Sequence, residues 1–305
     1  MHLSEYLEAR RAEIEAALAI ALPQPPDCPA LVADAMRYSL TAGGKRLRPV
    51  LCLASAEAVG GDRAMAMPAA CAIELIHTYS LIHDDLPAMD NDTMRRGQPT
   101  LHVVAGEGMA ILAGDGLLTE AFAVMAREPR TSDPDVMARK LRAIQTVATA
   151  AGAIGMVGGQ AIDLASVTPD PAGRRAPALD ADGVRVMHAK KTGALIRAAA
   201  SVGAIMGGGN DSAIDAIDAA AAELGLAFQI VDDILDIEGA SADLGKTSGK
   251  DAAAGKPTYP ALYGVDASRR MAAECLGRAE NALRAASLAD SRLLEIGRWI
   301  VGRTN

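Results

Sequence analysis

A chain of 305 residues, half of them apolar and 22% charged, can bury a large core and does not have the composition of a disordered protein. Only 3% of the residues are aromatic, so the core consists of aliphatic side chains, which suit packed helices better than sheets. The net charge of −8 argues against a nucleic-acid surface, which needs a concentrated basic face. The composition therefore predicts an all-α protein that does not bind nucleic acid.

The N-terminal segment, residues 1–19, mixes acids and bases at helical spacing and lacks the apolar core of a signal peptide. The uncharged stretch 143–162 carries glycines, glutamines and threonines, so we expect a buried helix and not a membrane span. The four cysteines show no C-x-x-C pairing, which is typical of reduced, buried thiols. These features predict a soluble, cytoplasmic protein with no membrane insertion.

Helical periodicity recurs along the chain, no strand pattern with hairpin turns stands out, and no flexible linker divides the sequence. We therefore expect one helical domain, residues 1–305, around a shared cavity. The expected helix breaks, rich in Pro, Gly and polar residues, are 23–26, 60–61, 128–134, 168–183, 207–211 and 239–257. The last of these is long and polar, and we interpret it as a candidate lid, with a plain surface loop as the alternative.

The first acidic cluster contains Asp84, Asp85, Asp90 and Asp92 and follows a strongly helical segment. Asp84 and Asp85 are predicted near a helix C-terminal end, where the helix dipole and the neighbouring carboxylates both disfavour negative charge. On an unbroken helix Asp84 and Asp90 would lie about 240° apart, but Pro87 must distort the helix and can bring Asp90 back. Divalent cations between the carboxylates would explain this costly arrangement.

The second cluster contains Gln229, Asp232, Asp233 and Asp236. Its spacing is regular, because Asp232 and Asp236 share one helix face and Gln229 lies one turn before Asp232. One such cluster alone is equally consistent with a helix cap or a solvated face, whereas two clusters on apolar helices indicate a metal site. Oxygen ligands select hard cations, Mg²⁺ before Zn²⁺, and Mg²⁺ is commonly shared with substrate phosphates.

Basic residues form a counterpart to the acidic clusters: Lys45, Arg46 and Arg48 follow a Gly-Gly turn, and Arg95 and Arg96 follow the first cluster. Arginine forks match phosphate oxygens, although each group alone is also consistent with a surface charge patch. His77 lies seven residues before Asp84, on nearly the same helix face, and a lone buried histidine is usually structural.

Together these residues resemble the trans-isoprenyl (polyprenyl) diphosphate synthase family, and most closely its bacterial farnesyl diphosphate synthases, or geranyltranstransferases. The matching segments, which span nearly the whole chain, are GGKRLRP (43–49), HTYSLIHDDLPAMDNDTMRRGQPT (77–100), GGQAIDL (158–164), KTGALI (191–196), FQIVDDILD (228–236) and GKPTYPAL (255–262).

The resemblance implies an all-α bundle around a deep central cavity (the isoprenoid synthase fold) and a homodimer. It implies head-to-tail condensation of isopentenyl diphosphate with dimethylallyl and geranyl diphosphates, giving farnesyl diphosphate. It also implies three Mg²⁺ ions per active site, for which Mn²⁺ can substitute. Geranylgeranyl diphosphate is the alternative product.

The resemblance assigns roles to matching positions. The implied metal ligands are Asp84, Asp85, Asp90, Asp232 and Asp236. The implied isopentenyl diphosphate site is Lys45, Arg48, His77 and Arg96. The implied allylic diphosphate site is Arg95, Lys191, Thr192, Gln229 and Lys246, with Lys256 nearby and Lys190 peripheral. The implied catalytic residues are Asp84, Asp85, Asp90, Lys191, Asp232 and Lys246.

Product length is predicted from Tyr79 and Ser80, which lie five and four residues before Asp84, roughly 6–8 Å along a helix. A bulky ring there can form the floor of the cavity and stop elongation, and Tyr79 matches the farnesyl-forming bacterial pattern. The alternative is that Tyr79 is an ordinary core residue.

Two other functions were weighed. A terpene cyclase also ionises an allylic diphosphate but needs no second diphosphate site, so Lys45, Arg48, His77 and Arg96 argue against it. A non-catalytic subunit of a heteromeric synthase is expected to lack aspartates or the arginine pair, and all of these are present.

Overall fold

The computed structural model describes residues 1–168, 172–174, 179–238 and 258–303. These ranges are almost entirely helical, which confirms the all-α fold class. In chain order the elements are α1 (Leu3–Ala21), α2 (Ala30–Leu40), α3 (Leu47–Ala58), α4 (Arg63–Asp84), β1 (Met94–Arg95), β2 (Gln98–Pro99), α5 (Leu101–Ala105), α6 (Glu107–Arg127), α7 (Pro134–Ala151), α8 (Met156–Val167), α9 (Ala181–His188), a π-helical turn (Ala189–Gly193), α10 (Ala194–Met206), α11 (Asp211–Glu238), α12 (Tyr259–Tyr263), α13 (Val265–Ala285) and α14 (Arg292–Gly302).

Helix α4 lies at the centre of the main core and packs against α3, α6 and α10. It begins at Asp62, whose carboxylate accepts a hydrogen bond from the N–H of Ala64 and so caps the helix. From Ala66 to Ile82 most of its alanines and aliphatic residues are buried. Because α4 is packed on several sides, the aspartates at its C-terminal end are held on a rigid support.

Helix α11 joins the main core to a second, smaller apolar cluster. Its first half contributes Ile214 and Ile217 to the main core, and its second half contributes Ile230 and Ile234 to the smaller cluster. The face that carries the second aspartate group is therefore fixed by apolar packing on both sides of it. A single domain over residues 1–305 stays a prediction.

The predicted breaks at 23–26, 60–61, 128–134 and 207–211 each separate two helices. The break at 168–183 lies partly, and the candidate lid at 239–257 wholly, outside the described residues.

The prediction of one buried helix over 143–162 is wrong. Helix α7 ends at Ala151 and α8 begins at Met156, and Ile154 between them is 71% exposed. Glycine is a poor helix former, and Gly155 adopts ψ −117°, so the glycines interrupt the helix. By length and composition, three helical segments in the described ranges could cross a membrane: Arg63–Asp84, Glu107–Arg127 and Pro134–Val167.

No strand pattern with a hairpin turn stands out in the sequence, yet the structure contains a short hairpin over residues 94–99. Strands β1 and β2 pair antiparallel, and the two residues that join them, Arg96 and Gly97, both have positive φ angles, 52° and 77°. Two positive φ angles define the tight turn that matches strand twist. A hairpin this short buries little and shows no alternating pattern, so the sequence carried only the Arg-Gly turn as a signal.

Candidate active site

The first aspartate cluster folds back on itself at the end of α4. Asp84 is the last residue of the helix, and the N–H of Asp90 donates to the carbonyl oxygen of Asp84 at 2.9 Å. The N–H of Asp92 donates to the carbonyl of Asp85 at 3.1 Å in the same way. The turn that contains Pro87 thus returns Asp90 to Asp84, as the sequence predicted.

The carboxyl group of Asp84 lies in an environment that disfavours its charge. Burial is the main cause that raises its pKa, to about 6, and the carboxylates of Asp90 and Asp85 act in the same direction. The cations Lys191 and Arg95 oppose the shift. A partly buried carboxylate with like charges beside it is a setting that a divalent cation would relieve, so Asp84 and Asp90 fit a metal site.

The described residues bring no group of three or more His, Cys, Asp or Glu side chains together as a metal cage. A cation held by one or two carboxylates fills its remaining positions with water and substrate phosphate oxygens, which is how Mg²⁺ is usually bound. The arrangement therefore fits Mg²⁺ shared with a phosphorylated substrate better than a structural metal.

The small hairpin directs its two arginines to opposite sides. The guanidinium of Arg95 donates to both carboxylate oxygens of Asp85, with N–O distances of 2.6 to 2.8 Å. Arg96 donates to the carbonyl of Gly43, and a Cβ at Gly44 would lie only 2.7 Å from Nη1 of Arg96. Glycine at position 44 therefore allows the close approach, and one tight turn serves both the first aspartate cluster and segment 43–49.

Asp85 was predicted as a metal ligand, but its carboxylate is buried and lies against Arg95. Arg95 was predicted at the allylic diphosphate and is here paired with the same carboxylate. Both roles stay predictions, and both require this pair to open or to share its atoms with a ligand.

Arg48 and His77 form a cationic wall together with Arg96. Nε of Arg48 is buried and has no hydrogen-bond partner in the part of the chain that the structure describes. A buried N–H without a partner is costly and points to a missing ligand. Burial, then Arg48 and Arg96, hold the pKa of His77 well below its usual range, so the imidazole is neutral there. The wall has an unpaired donor and excess positive charge, which suits an anion.

Arg46, adjacent to these residues in sequence, has a structural role. Its guanidinium is buried and pairs with Glu74 at 2.6 Å and Glu15 at 2.7 Å, and it also donates to the carbonyl of Leu40. The pairing joins α1 to α4 and fixes the start of α3, where Arg46 takes φ 50°. Lys45 is therefore held just before α3, and Arg48 lies in the first turn of that helix.

Lys191 lies on the π-helical turn and donates to the buried carboxylate of Asp163 on α8. A Cβ at Gly159 would overlap the backbone of Lys191, so this glycine allows α8 to approach the turn. Thr192 follows on the same turn. Lys190 instead donates to the carbonyl of Ile154 at the surface, in agreement with the peripheral position predicted for it. Sequence reasoning missed Asp163, although a lone acid in an apolar helix signals a buried partner.

On α11 two neighbouring aspartates have different surroundings. The buried Asp233 accepts from Nε2 of Gln229 and from the N–H of Tyr259, both at 3.0 Å, and so ties α12 to α11. Asp232 lies one position earlier, is 42% exposed at its side chain, and pairs with Arg303 at 2.7 Å. Asp236 lies on the same face as Asp232 one turn later.

Charges from both clusters act on the cationic wall. Burial lowers the pKa of Arg48, and the carboxylates of Glu74 and Asp232 oppose this shift. Burial also lowers the pKa of His77, and the positive charges of Arg48, Arg96 and Arg95 lower it further. Two predicted residues, Lys246 and Lys256, lie outside the described residues.

The chain-length candidates lie on α4 before the aspartates. Tyr79 is buried, and its ring meets the ring of His83 edge-on at 5.6 Å between centroids. Burial and then Asp84 raise the pKa of Tyr79, which places the ring close to the first cluster. The hydroxyl of Ser80 donates to the carbonyl of His77 within the helix, so it is already satisfied.

Comparison with known proteins gives consistent matches. A family model described as polyprenyl synthetase matches residues 29–289. Geranylgeranyl pyrophosphate synthase 9 of Arabidopsis thaliana is 48% identical over 91% of this chain and 75% of its own. Geranylgeranyl diphosphate synthase of Cyanophora paradoxa is 42% identical over 100% of this chain and 97% of its own. The solved structure of an FPP/GFPP synthase from Zymomonas mobilis is 39% identical, with a TM-score of 0.83 over 98% of this chain and 99% of its own.

The substitution Asp84→Asn should stabilise the metal-free protein. It removes a charge that burial and neighbouring carboxylates disfavour, and after allowance for solvent screening the gain is on the order of 1 kcal/mol. Urea unfolding at pH 8 with a chelator present would measure the gain. Asp215→Asn on the exposed face of α11 is the control and should change the free energy of unfolding by less than about 0.5 kcal/mol. A destabilised Asp84→Asn variant would contradict the electrostatic interpretation.

Proposed function

We propose that this chain, which belongs to the polyprenyl synthetase family, is a Mg²⁺-dependent synthase that condenses isopentenyl diphosphate with allylic diphosphates. The chain is a trans-prenyltransferase by its family and its relatives. The observation that carries the finer proposal is the buried Nε of Arg48, which has no hydrogen-bond partner in the described ranges and lies close to Arg96 and His77. A cationic wall of this kind supports a second diphosphate, held without the carboxylates.

The isopentenyl diphosphate would bind to this wall. Arg48 and Arg96 would supply guanidinium donors, His77 a neutral imidazole, and Lys45 a further ammonium group. Burial lowers the pKa of Arg48, and the positive charge of Arg96 lowers it further, so the two guanidinium groups repel each other. An anion removes this repulsion, so binding is favoured where the charges are concentrated.

The allylic diphosphate would bind between the two aspartate clusters. Asp84 and Asp90 on one side, and Asp232 and Asp236 on the other, are the residues that would hold Mg²⁺. Bound Mg²⁺ neutralises diphosphate charge that the carboxylates alone would repel. Lys191 adds a positive charge near Asp84, and Thr192 and Gln229 add neutral hydrogen-bonding groups.

The reaction then breaks one bond and forms one. The allylic C1–O bond ionises, the electron pair leaves with the diphosphate, and positive groups such as Lys191 stabilise the departing anion. The isopentenyl double bond attacks C1 and forms the new C–C bond. The resulting cation loses a proton from C2 to the released diphosphate, which restores a double bond and a neutral hydrocarbon chain.

The carbocation must be kept from water, or it would be quenched to an alcohol. The candidate lid 239–257, with Lys246 and Lys256, lies outside the described residues, and its role stays a prediction. Those lysines would add charge at the allylic diphosphate. The buried aliphatic side chains of α4 supply part of the apolar surroundings.

For product length, the relatives' names support geranylgeranyl diphosphate, with 20 carbons, better than the farnesyl product predicted from the sequence. We therefore propose the longer product first. Farnesyl diphosphate, with 15 carbons, stays as a second candidate, because the buried ring of Tyr79 lies near the first cluster.

The two rival functions are less well supported. A terpene cyclase binds one diphosphate and needs no second anion site of the kind formed by Arg48, His77 and Arg96. A non-catalytic subunit has no need of the charges gathered at Asp84, Lys191 and Asp232. A cytoplasmic location also stays a proposal. The four cysteines are buried and form no disulfide, which is compatible with a reducing compartment.

Incubation with isopentenyl and dimethylallyl diphosphates and Mg²⁺, followed by dephosphorylation and sizing of the alcohols, tests the function. We expect a C20 alcohol as the main product, and none when a chelator replaces Mg²⁺. A C15 alcohol would transfer the proposal to farnesyl diphosphate. No product under any Mg²⁺ concentration would overturn the catalytic proposal.

Tyr79→Ala should lengthen the product by at least one five-carbon unit if the ring is the floor of the cavity, because the smaller side chain opens space beyond it. Tyr263→Ala, at a 44% exposed tyrosine on α12, is the control and should leave product length unchanged. An unchanged product distribution in Tyr79→Ala would make Tyr79 an ordinary core residue.

A homodimer is supported by apolar side chains exposed on α5 and α6. Val103, Val104, Ile111 and Leu112 are each 44 to 55% exposed, and such a group on a soluble surface indicates an interface. Leu112→Glu should weaken association at least tenfold in sedimentation equilibrium, whereas Ile20→Glu on α1, a single exposed side chain, should not. Unaltered association of Leu112→Glu would argue against this surface.

A further inference from the structure

The residue after the last described helix is inserted into the second aspartate cluster. Helix α14 ends at Gly302, and the next side chain, Arg303, is only 3% exposed. Its Nη2 lies 2.7 Å from Oδ1 of Asp232 and donates to the carbonyl oxygen of Phe228 at 2.8 Å. The C-terminal part of the chain therefore reaches a carboxylate proposed to hold a metal.

The guanidinium of Arg303 occupies a formed niche. Its central carbon lies 4.0 Å from the ring centroid of Phe228, and Nε donates to the carbonyl of Ile300 at 3.2 Å. Phe228 and Asp232 are four residues apart on α11, so their side chains share one face. A ring, two carbonyls and a carboxylate enclose the planar cation, and a flexible surface contact would lack this set of partners.

A buried guanidinium with these partners does not leave readily, because it would lose a cation–π contact and several charge-assisted hydrogen bonds together. It is therefore a lasting neighbour of Asp232. A carboxylate has about four acceptor positions, so one bond from Arg303 is compatible with a cation on the same group. Groups that bind a metal-ligating carboxylate from behind commonly set its orientation.

We propose that Arg303 is a positioning residue that orients the carboxylate of Asp232 for the divalent cation of the second cluster. The inference rests on the proposed function, since it takes Asp232 as a metal ligand. It adds Arg303, which directly follows α14, to the residues that shape the second metal site.

Whether removal of Arg303 strengthens or weakens metal binding distinguishes a positioning role from a purely electrostatic one. Arg303 is positive and close to Asp232 and Lys45, so its charge alone weakens binding of another cation. Removing it would strengthen metal binding if charge were all that mattered. If Arg303 positions Asp232, removing it weakens metal binding in spite of the lost repulsion.

The experiment measures Mn²⁺ binding to the full chain by electron paramagnetic resonance, with and without inorganic diphosphate, after correction for Mn²⁺ bound to diphosphate alone. We compare the unchanged protein with Arg303→Gln and Arg303→Lys, and we record the melting temperature of each. Arg269→Gln is the matched control, because Arg269 pairs with Glu238 on the same helix at 2.5 Å but at the surface.

We expect Arg303→Gln to weaken Mn²⁺ binding roughly 10- to 100-fold, the usual effect of removing such a partner. Arg303→Lys should also weaken it, because a lysine keeps the charge but lacks the planar fork. In Asp232→Asn the further change Arg303→Gln should have no added effect on Mn²⁺ binding. Arg269→Gln should bind Mn²⁺ like the unchanged protein.

Tighter or equal Mn²⁺ binding by Arg303→Gln would overturn the inference, and so would a lower melting temperature with unchanged Mn²⁺ binding. Equal binding by Arg303→Lys would show that the planar guanidinium is not needed to orient Asp232, and it would overturn the inference too. If the unchanged protein binds no Mn²⁺ under either condition, the metal part of the proposed function fails, and this inference fails with it. The two failures are thereby distinguishable.

Discussion

The repulsion between carboxylates at the end of α4 is the constraint on which the rest of the site depends. Asp84, Asp85 and Asp90 are gathered where the helix dipole is also negative, and burial adds to the cost. Positive charges from neighbouring elements partly offset this repulsion. The hairpin brings Arg95 to Asp85, and the π-helical turn brings Lys191 close to Asp84. The folded chain therefore stores unfavourable charge at the place where the proposed chemistry needs metal ions.

Cations in this protein fall into two groups with different tasks. Arg46, Arg95 and Arg303 each lie against a carboxylate of the chain and act on the fold or on the orientation of an acid. Arg48 has a buried Nε with no hydrogen-bond partner in the described ranges, and with Arg96 it forms an excess of positive charge. The first group makes the site rigid, and the second leaves it ready for an anion. Residue type alone does not distinguish them, since all are arginines within the same short motifs or at the chain end.

Glycines at two close approaches make the rigidity possible. Gly44 allows Arg96 to lie against the turn before α3, and Gly159 allows α8 to contact the backbone at Lys191. The same α8 supplies Asp163, which receives the ammonium of Lys191. Helix α8 thus contacts both the backbone and the side chain of Lys191, the residue proposed to stabilise the departing diphosphate. Such support from packed helices is what keeps charged groups within the tolerance that catalysis requires.

The sequence by itself determined the helical class, most helix breaks, the turn that returns Asp90 to Asp84, and the candidate acids and bases of the site. These follow from composition, period and the short-range effect of Pro87, all of which act over a few residues. Only the tertiary structure decided the partners: Asp85 on Arg95, Lys191 on Asp163, Asp233 on Tyr259 and Asp232 on Arg303. Partners distant in sequence are chosen by how helices pack, and a spacing pattern contains no record of that packing. The interrupted helix near Gly155 and the hairpin at Arg96 escaped prediction because a few backbone angles decided them, against or without an apolar pattern.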